Sequence, residues 1–186
     1  PPRYYDFTAR LAVEQKSSGV VALGLVGAGI DAPAETFLPY VRRARAAGLR
    51  FTPHAGELAG PEQVWAALDV LGADRIGHGV RAIEDPALVR ELARRDVALE
   101  VCPTSNVRLG IYSSYAAHPL RRLCHAGVPV TVNSDDPGLF GTSIAREAEL
   151  LVSHLGFSAP EAADVLQNGV RRSFLPAAHP LRGEVG

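Results

Sequence analysis

This sequence has little cysteine, no excess of charge of either sign and no long apolar run. Its two cysteines, Cys102 and Cys124, do not make a disulfide framework or a Cys-x-x-Cys metal site. Nineteen basic residues against 20 acidic ones give a net charge of -1, which offers no electrostatic basis for binding nucleic acid. No apolar run approaches the roughly 20 residues that span a bilayer, and Pro1–Asp6 lacks the pattern of a signal peptide. These absences predict a globular cytoplasmic protein without nucleic-acid or membrane partners.

The residues that are present are sufficient for a core, since 47% of the 186 are hydrophobic and 21% are charged. Short apolar runs predict strands over 20–25, 49–52, 74–77, 97–101 and 128–132. Helical patterns cover 39–47, 61–71, 86–95, 120–126, 143–155 and 159–168. This alternation predicts an α/β fold with a parallel sheet and right-handed crossovers. Because a (β/α)8 barrel needs about 250 residues, the pattern fits either a small open sheet or part of a barrel.

Polar motifs follow four consecutive predicted strands, where each strand ends. They are His54-Ala55-Gly56-Glu57, Gly77-His78-Gly79, Cys102-Pro103-Thr104-Ser105-Asn106 and Ser134-Asp135-Asp136-Pro137. The carboxyl ends of parallel strands share one face of the fold, and functional sites are built there. Two histidines, one glutamate and two aspartates are therefore expected to converge.

These residue types suit metal-assisted hydrolysis. His54 and Asp135 can supply nitrogen and oxygen ligands to Zn²⁺, which lowers the pKa of a bound water toward about 7. His78 is placed to orient or deprotonate that water. Glu57 lies three residues after a ligand, so it can act as a general acid or base without occupying the metal. Asp135 and Asp136 are adjacent carboxylates, which do not both ionise easily. We therefore expect Asp135 to bind the metal and Asp136 to bind the substrate.

The second motif extends back to Arg75 and reads Arg75-Ile76-Gly77-His78-Gly79. In their order and spacing, the four motifs resemble those of the adenosine deaminase family of the amidohydrolase superfamily. The resemblance runs from about Val20 onward. It implies a TIM barrel with one zinc ion that hydrolytically removes the 6-amino group of an adenine ring and releases ammonia.

The family's pattern also implies a role for each matching residue. His54 and Asp135 would be the zinc ligands, Glu57 would protonate the purine N1, and His78 would assist the zinc-bound hydroxide. Two further contacts to the substrate follow from the resemblance. Asp136 would hydrogen-bond the ring near N7, and the backbone N–H of Gly27 would approach N3.

The sequence departs from the family's pattern in two places. The family's first strand carries a His-x-His pair of zinc ligands that this sequence lacks, and the five predicted strands correspond to the last five of eight. Gly24 stands where many relatives have an aspartate. We therefore expect one domain over 1–186 that forms the C-terminal part of a barrel, with a missing N-terminal half needed for a complete site. Adenosine is the first substrate expected; adenine, aminodeoxyfutalosine and a non-catalytic fragment are the alternatives.

Plainer interpretations apply to several residues. Asp135-Asp136-Pro137 also fits a turn and helix N-cap, and Gly27 fits a turn glycine. Ser105 and Asn106 are expected to form structural hydrogen bonds. The remaining histidines, His118 among them, are expected on helices or in the tail, away from the strand ends.

Overall fold

Five parallel strands form one sheet in the order in which they occur in the sequence. The computed structural model describes residues 2–27, 32–176 and 178–183. The strands are β1 (Ala22–Leu25), β2 (Arg50–Ala55), β3 (Arg75–His78), β4 (Ala98–Val101) and β5 (Val130–Val132). Each overlaps the range expected from its apolar run, so the predicted parallel α/β sheet is confirmed.

Helices connect these strands and follow the last one. Those in the described ranges are α1 (Pro2–Glu14), α2 (Leu38–Ala46), α3 (Pro61–Asp69), α4 (Pro86–Arg95), α5 (Pro103–Arg108), α6 (Leu120–His125), α7 (Pro137–Phe140), α8 (Ile144–Ser153), α9 (Ala159–Arg171) and α10 (Pro180–Gly183). Six of them were predicted. No helix in the described part of the chain is long and apolar enough to cross a membrane.

Local sequence explains where the predicted helices begin. Asp85 caps α4, since its side chain accepts hydrogen bonds from the next two free backbone N–H groups, and Pro86 occupies the first helical position. Helix α9 opens with a capping box in which the Ser158 hydroxyl and the Glu161 carboxylate each accept a bond from the other residue's backbone N–H. These signals are readable from the sequence because they act within one turn.

The helices that were not predicted depend on longer-range packing or follow a short motif. Helix α1 buries Ala9 completely, and its Tyr5 ring packs edge-on against Phe37, with centroids 5.2 Å apart. Helix α5 begins at Pro103, so the segment after β4 is a short helix, although no helix was predicted there from the sequence. The strand-end motif Cys102–Asn106 therefore presents its side chains from a helix.

The two faces of the sheet differ in chemistry because strand side chains alternate. One face, called here the helix-packed face, carries the fully buried Ile76, Leu99 and Val130, which belong to the same core as residues of α3, α4 and α6. The other face is called here the polar face. The strand register aligns four residues across it: His54 pairs with Gly77, Gly77 with Glu100, and Glu100 with Thr131. The polar face leads to the strand ends where the motifs lie.

Candidate active site

The carboxyl ends of β2 to β5 surround an open cavity of about 430 Å³. Its walls include His54 from β2, His78 from β3, Cys102 after β4, and Asp135 after β5. The sequence placed polar motifs at all four of these strand ends, and the sheet brings them to one place.

Two histidines meet at the centre of this wall. The His54 and His78 rings are nearly perpendicular, with centroids 4.8 Å apart. The His54 ring lies over Gly77, where a Cβ atom would overlap it. A glycine is thus required at position 77 by the space that the neighbouring imidazole occupies, not by its backbone angles.

The backbone at the strand ends is held in an uncommon conformation. His78 has φ of 60° and Asp135 has φ of 56°, both in the left-handed region that costs a residue with a side chain roughly 1 kcal/mol or more. Such conformations persist where surrounding structure fixes them, and they concentrate at functional sites. Both turns direct a titratable side chain toward the cavity wall.

Glu57 is held beside His78 by an amide. Its Oε1 accepts a hydrogen bond from Asn106 Nδ2 at 3.2 Å and lies 3.4 Å from His78 Nδ1. Burial, reinforced by the Asp135 carboxylate and opposed by the Asn106 bond, raises the pKa of Glu57 to about 6. The carboxyl therefore holds or releases a proton near neutral pH, as a general acid must.

His78 is kept neutral at the same pH. The residue is only 2% exposed, and burial, together with the neighbouring His54, lowers its pKa to about 4. Burial also lowers the pKa of His54. Neutral imidazoles are available as ligands or as hydrogen-bonding groups, because each keeps one nitrogen lone pair.

Asp135 is oriented by Ser105, whose hydroxyl donates to Oδ2 at 2.7 Å. Ligand atoms of His78, Cys102 and Asp135 lie within 4.8 Å of one another, which makes them a candidate metal group in the described part of the chain. The Cys102 thiol fits poorly in that role, because burial and nearby carboxylates raise its pKa and a thiol binds metals as the thiolate. His54 is outside that group but lies on the same wall.

The remaining expected residues lie farther out. Asp136 is exposed, and its Oδ1 accepts a hydrogen bond from the backbone N–H of Leu139 at 3.0 Å, so it caps α7 as the plainer interpretation expected. Gly27 lies just beyond β1 with φ of 83° and is exposed. The cavity beside His54 and His78 does not include either among the residues that line it.

Sequence reasoning missed the part played by Asn106 and His118. Asn106 is fully buried between Glu57 and His78, and His118 bonds its amide oxygen at 3.2 Å. His118 sits just before α6 and not at a strand end, but its ring contacts Asn106, which lies beside Glu57 and His78. The only signal was its place immediately before Pro119, at the start of a predicted helix.

Histidine and aspartate side chains that the strand ends of a parallel α/β sheet bring to one cavity are an arrangement typical of the amidohydrolase class. The family described as adenosine deaminase matches residues 2–182. The chain belongs to the adenosine deaminase family, as its motifs predicted.

Individual relatives agree with this assignment. An aminodeoxyfutalosine deaminase from Streptomyces coelicolor is 46% identical over 177 residues, which are 94% of this chain and 46% of that protein. The adenine deaminase of Arthrobacter aurescens superposes with a TM-score of 0.85 at 39% identity, covering 97% of this chain and 58% of that one.

A third comparison concerns metal. An amidohydrolase from Burkholderia ambifaria, solved with bound Zn, superposes with a TM-score of 0.83 at 28% identity, covering 97% of this chain and 53% of that one. The structural neighbours are TIM-barrel deaminases, so the predicted barrel architecture is confirmed. The chain spans about half the length of the curated relatives it matches.

Proposed function

We propose that this chain contributes to an active site that hydrolytically removes the 6-amino group of an adenine-containing compound. The observation that supports this most directly is the position of His78 between two carboxylates from other strand ends. His78 and Asp135 line the cavity, with His78 Nε2 4.0 Å from Asp135 Oδ2, and Glu57 lies behind His78, with its Oε1 3.4 Å from Nδ1. The reaction consumes water and yields the 6-oxo purine and ammonia.

His54 and Asp135 would hold a zinc ion. Their nitrogen and oxygen donors suit Zn²⁺, both line the cavity, and Ser105 fixes the carboxylate. Bound zinc supplies a water that ionises near neutral pH. Since catalytic zinc ordinarily has three protein ligands or more, we infer that a segment carrying further ligands, such as a His-x-His pair, completes the site.

Glu57 and His78 would have separate roles in the reaction. Glu57, with its pKa near 6, donates a proton to ring N1, which makes C6 more electrophilic toward water. The neutral His78 beside it orients the attacking oxygen. The attacking water gives up both of its protons: one goes to the amino group, which leaves as ammonia when the C6–N bond breaks, and the other replaces the proton that Glu57 gave to N1.

Substrate recognition is assigned to the outer residues. Asp136 would bond the ring near N7, and the Gly27 backbone N–H would approach N3. Adenosine is the first substrate to test. Adenine and aminodeoxyfutalosine are tested as well, because all three share the 6-aminopurine ring. We also assign the protein to the cytoplasm, since Cys102 and Cys124 are both free thiols.

The test is a chimera in which this chain replaces the matching 177 residues of the Streptomyces coelicolor relative. Zinc-loaded chimera should release ammonia from at least one of the three compounds, and Glu57→Gln should lower turnover by about a hundredfold or more while zinc stays bound. Glu14→Gln, on the exposed surface of α1, is the matched control.

Two results would contradict the proposal. One is a zinc-loaded chimera that deaminates none of the three compounds although it folds. The other is a Glu57→Gln chimera that works as fast as the unchanged one. The chain alone, assayed in parallel, shows whether its own ligands suffice or whether it is inactive without the completing segment.

A further inference from the structure

The His118 ring has one defined arrangement of its proton. Its Nδ1 accepts a hydrogen bond from the backbone N–H of Leu120 at 3.2 Å. That N–H is one of the donors that the first turn of α6 leaves without a partner inside the helix. Because Nδ1 uses its lone pair there, the ring proton is on Nε2. Burial, with the charge of Arg122, lowers the pKa of His118 to about 3, so the ring stays neutral through the physiological range.

This ring orientation fixes the amide of Asn106. His118 Nε2 lies 3.2 Å from Asn106 Oδ1, and a nitrogen that carries a proton can only donate to that oxygen. The amide nitrogen must then point the other way. It lies 3.2 Å from Glu57 Oε1 and 3.4 Å from His78 Nδ1, so its two hydrogens meet two acceptors.

We propose that His118 and Asn106 are positioning residues for the deamination proposed above, because their hydrogen-bond chain from Leu120 sets the orientation of Glu57 and the tautomer of His78. The inference rests on the proposed function for its catalytic consequence. The hydrogen-bond chain itself rests on the four contacts described above. Neither residue is among those that line the cavity, so both act through their neighbours.

The hydrogen-bond chain sets the tautomer of His78. Since Nδ1 of His78 accepts from Asn106, its own ring proton is on Nε2, which faces Asp135 Oδ2 at 4.0 Å on the cavity wall. His78 therefore presents a hydrogen-bond donor to the reacting centre. If the Asn106 amide turned over, its oxygen would face the Glu57 carboxyl oxygen, and both the alignment and the tautomer would be lost.

Two substitutions of His118 separate this role from simple helix capping. Glutamine can place an amide N–H near the position of Nε2 and keep the donor to Asn106, whereas asparagine can place its oxygen near Nδ1 and keep only the acceptor for Leu120. The positioning role predicts that His118→Gln behaves like the unchanged protein and His118→Asn does not. A capping role predicts the reverse order. Asn106→Asp removes both donors to Glu57 and His78 at constant size.

The first measurement is long-range ¹H–¹⁵N spectroscopy of the full chain labelled at histidine nitrogen. We expect protonated Nε2 and lone-pair Nδ1 signals for His118 and His78, retained in His118→Gln and lost for His78 in His118→Asn and Asn106→Asp. His125→Asn, on exposed α6 surface, is the control. A His118 proton on Nδ1, or a His78 tautomer that is the same in all variants, would overturn the inference.

The second measurement is turnover in the active chimera. His118→Asn and Asn106→Asp should lower kcat about tenfold to a hundredfold with KM little changed, as loss of an orienting partner does, and His118→Gln should restore it. Equal kcat losses in His118→Gln and His118→Asn, matching equal losses of thermal stability, would overturn the positioning role. Expected tautomers in a protein without deaminase activity would contradict the proposed function and leave the hydrogen-bond chain in place.

Discussion

The helix-packed and polar faces of the sheet are built from the same strands but do different work. Leu99 and Glu100 are neighbours on β4, yet Leu99 is fully buried in the main core, whereas the Glu100 side chain is 26% exposed, accepts a hydrogen bond from Thr52 and forms an ion pair with Arg75. Alternation along a strand thus separates the residues that stabilise the fold from those that lead to the site. It follows that substitutions on the two faces should change different measurements.

Leu99→Ala tests the helix-packed face and should have the largest effect. Removing a fully buried leucine leaves a cavity in the core and should lower the free energy of unfolding by about 3 kcal/mol. Urea unfolding measures this. Leu166→Ala on α9, where the leucine is 40% exposed, should cost much less. Similar losses for the two variants would show that the core is not where the structure places it.

Glu57→Gln tests the raised pKa of Glu57, which follows β2, through the pH dependence of stability. The folded protein binds the Glu57 proton more tightly than the unfolded chain does, since the pKa is raised from 4.5 to about 6. The unchanged protein should therefore lose stability relative to Glu57→Gln as pH rises from 4.5 to above 6, by up to about 2 kcal/mol. Urea unfolding of zinc-free protein at several pH values measures the difference. A difference that stays constant with pH would contradict the raised pKa.

Gly77→Ala tests whether the candidate zinc site depends on the space that Gly77 leaves for the His54 ring on the polar face. An added Cβ would overlap the His54 ring and displace it, so zinc affinity should fall by about tenfold or more, as for other losses of ligand orientation. Zinc titration followed by the histidine ring signals measures it. Gly24→Ala is the control, because a Cβ there meets only the Thr52 carbonyl oxygen at 3.7 Å. Equal zinc affinity in both variants would remove His54 from the ligand set.

Glu100→Gln should have the smallest effect. Its ion pair with Arg75 spans 3.0 Å between Nε and Oε1, but both side chains keep contact with water, at 20% and 26% exposure. Partly exposed pairs of this kind contribute about 1 kcal/mol or less. Thermal or urea unfolding of Glu100→Gln and Leu99→Ala compares the stability losses at two consecutive residues. A loss as large as that of Leu99→Ala would mean that the polar face also stabilises the fold.

Much of this arrangement was predictable because it is local. Apolar runs predicted the five strands, and Pro86 and the Ser158–Glu161 capping box predicted two helix starts. The motifs at the strand ends predicted the family and the meeting of His54, His78 and Asp135, since parallel topology alone brings strand ends together. Their roles in catalysis stay predictions.

Other features depended on contacts between distant segments. Helix α1 is defined by packing against α2. His118 was not expected near the site, because 40 residues of sequence separate it from His78. Asn106 joins them only after α5 forms on the end of β4.

The sequence by itself determined the succession of strands and helices along the chain, the residue types at the strand ends and the family, because alternation, capping and motif spacing are written in consecutive residues. Tertiary structure alone decided which nitrogen of His78 carries the proton and how far the pKa of Glu57 rises. Those properties depend on burial and on the direction of hydrogen bonds between side chains distant in sequence, and both exist only once the sheet has brought the side chains together.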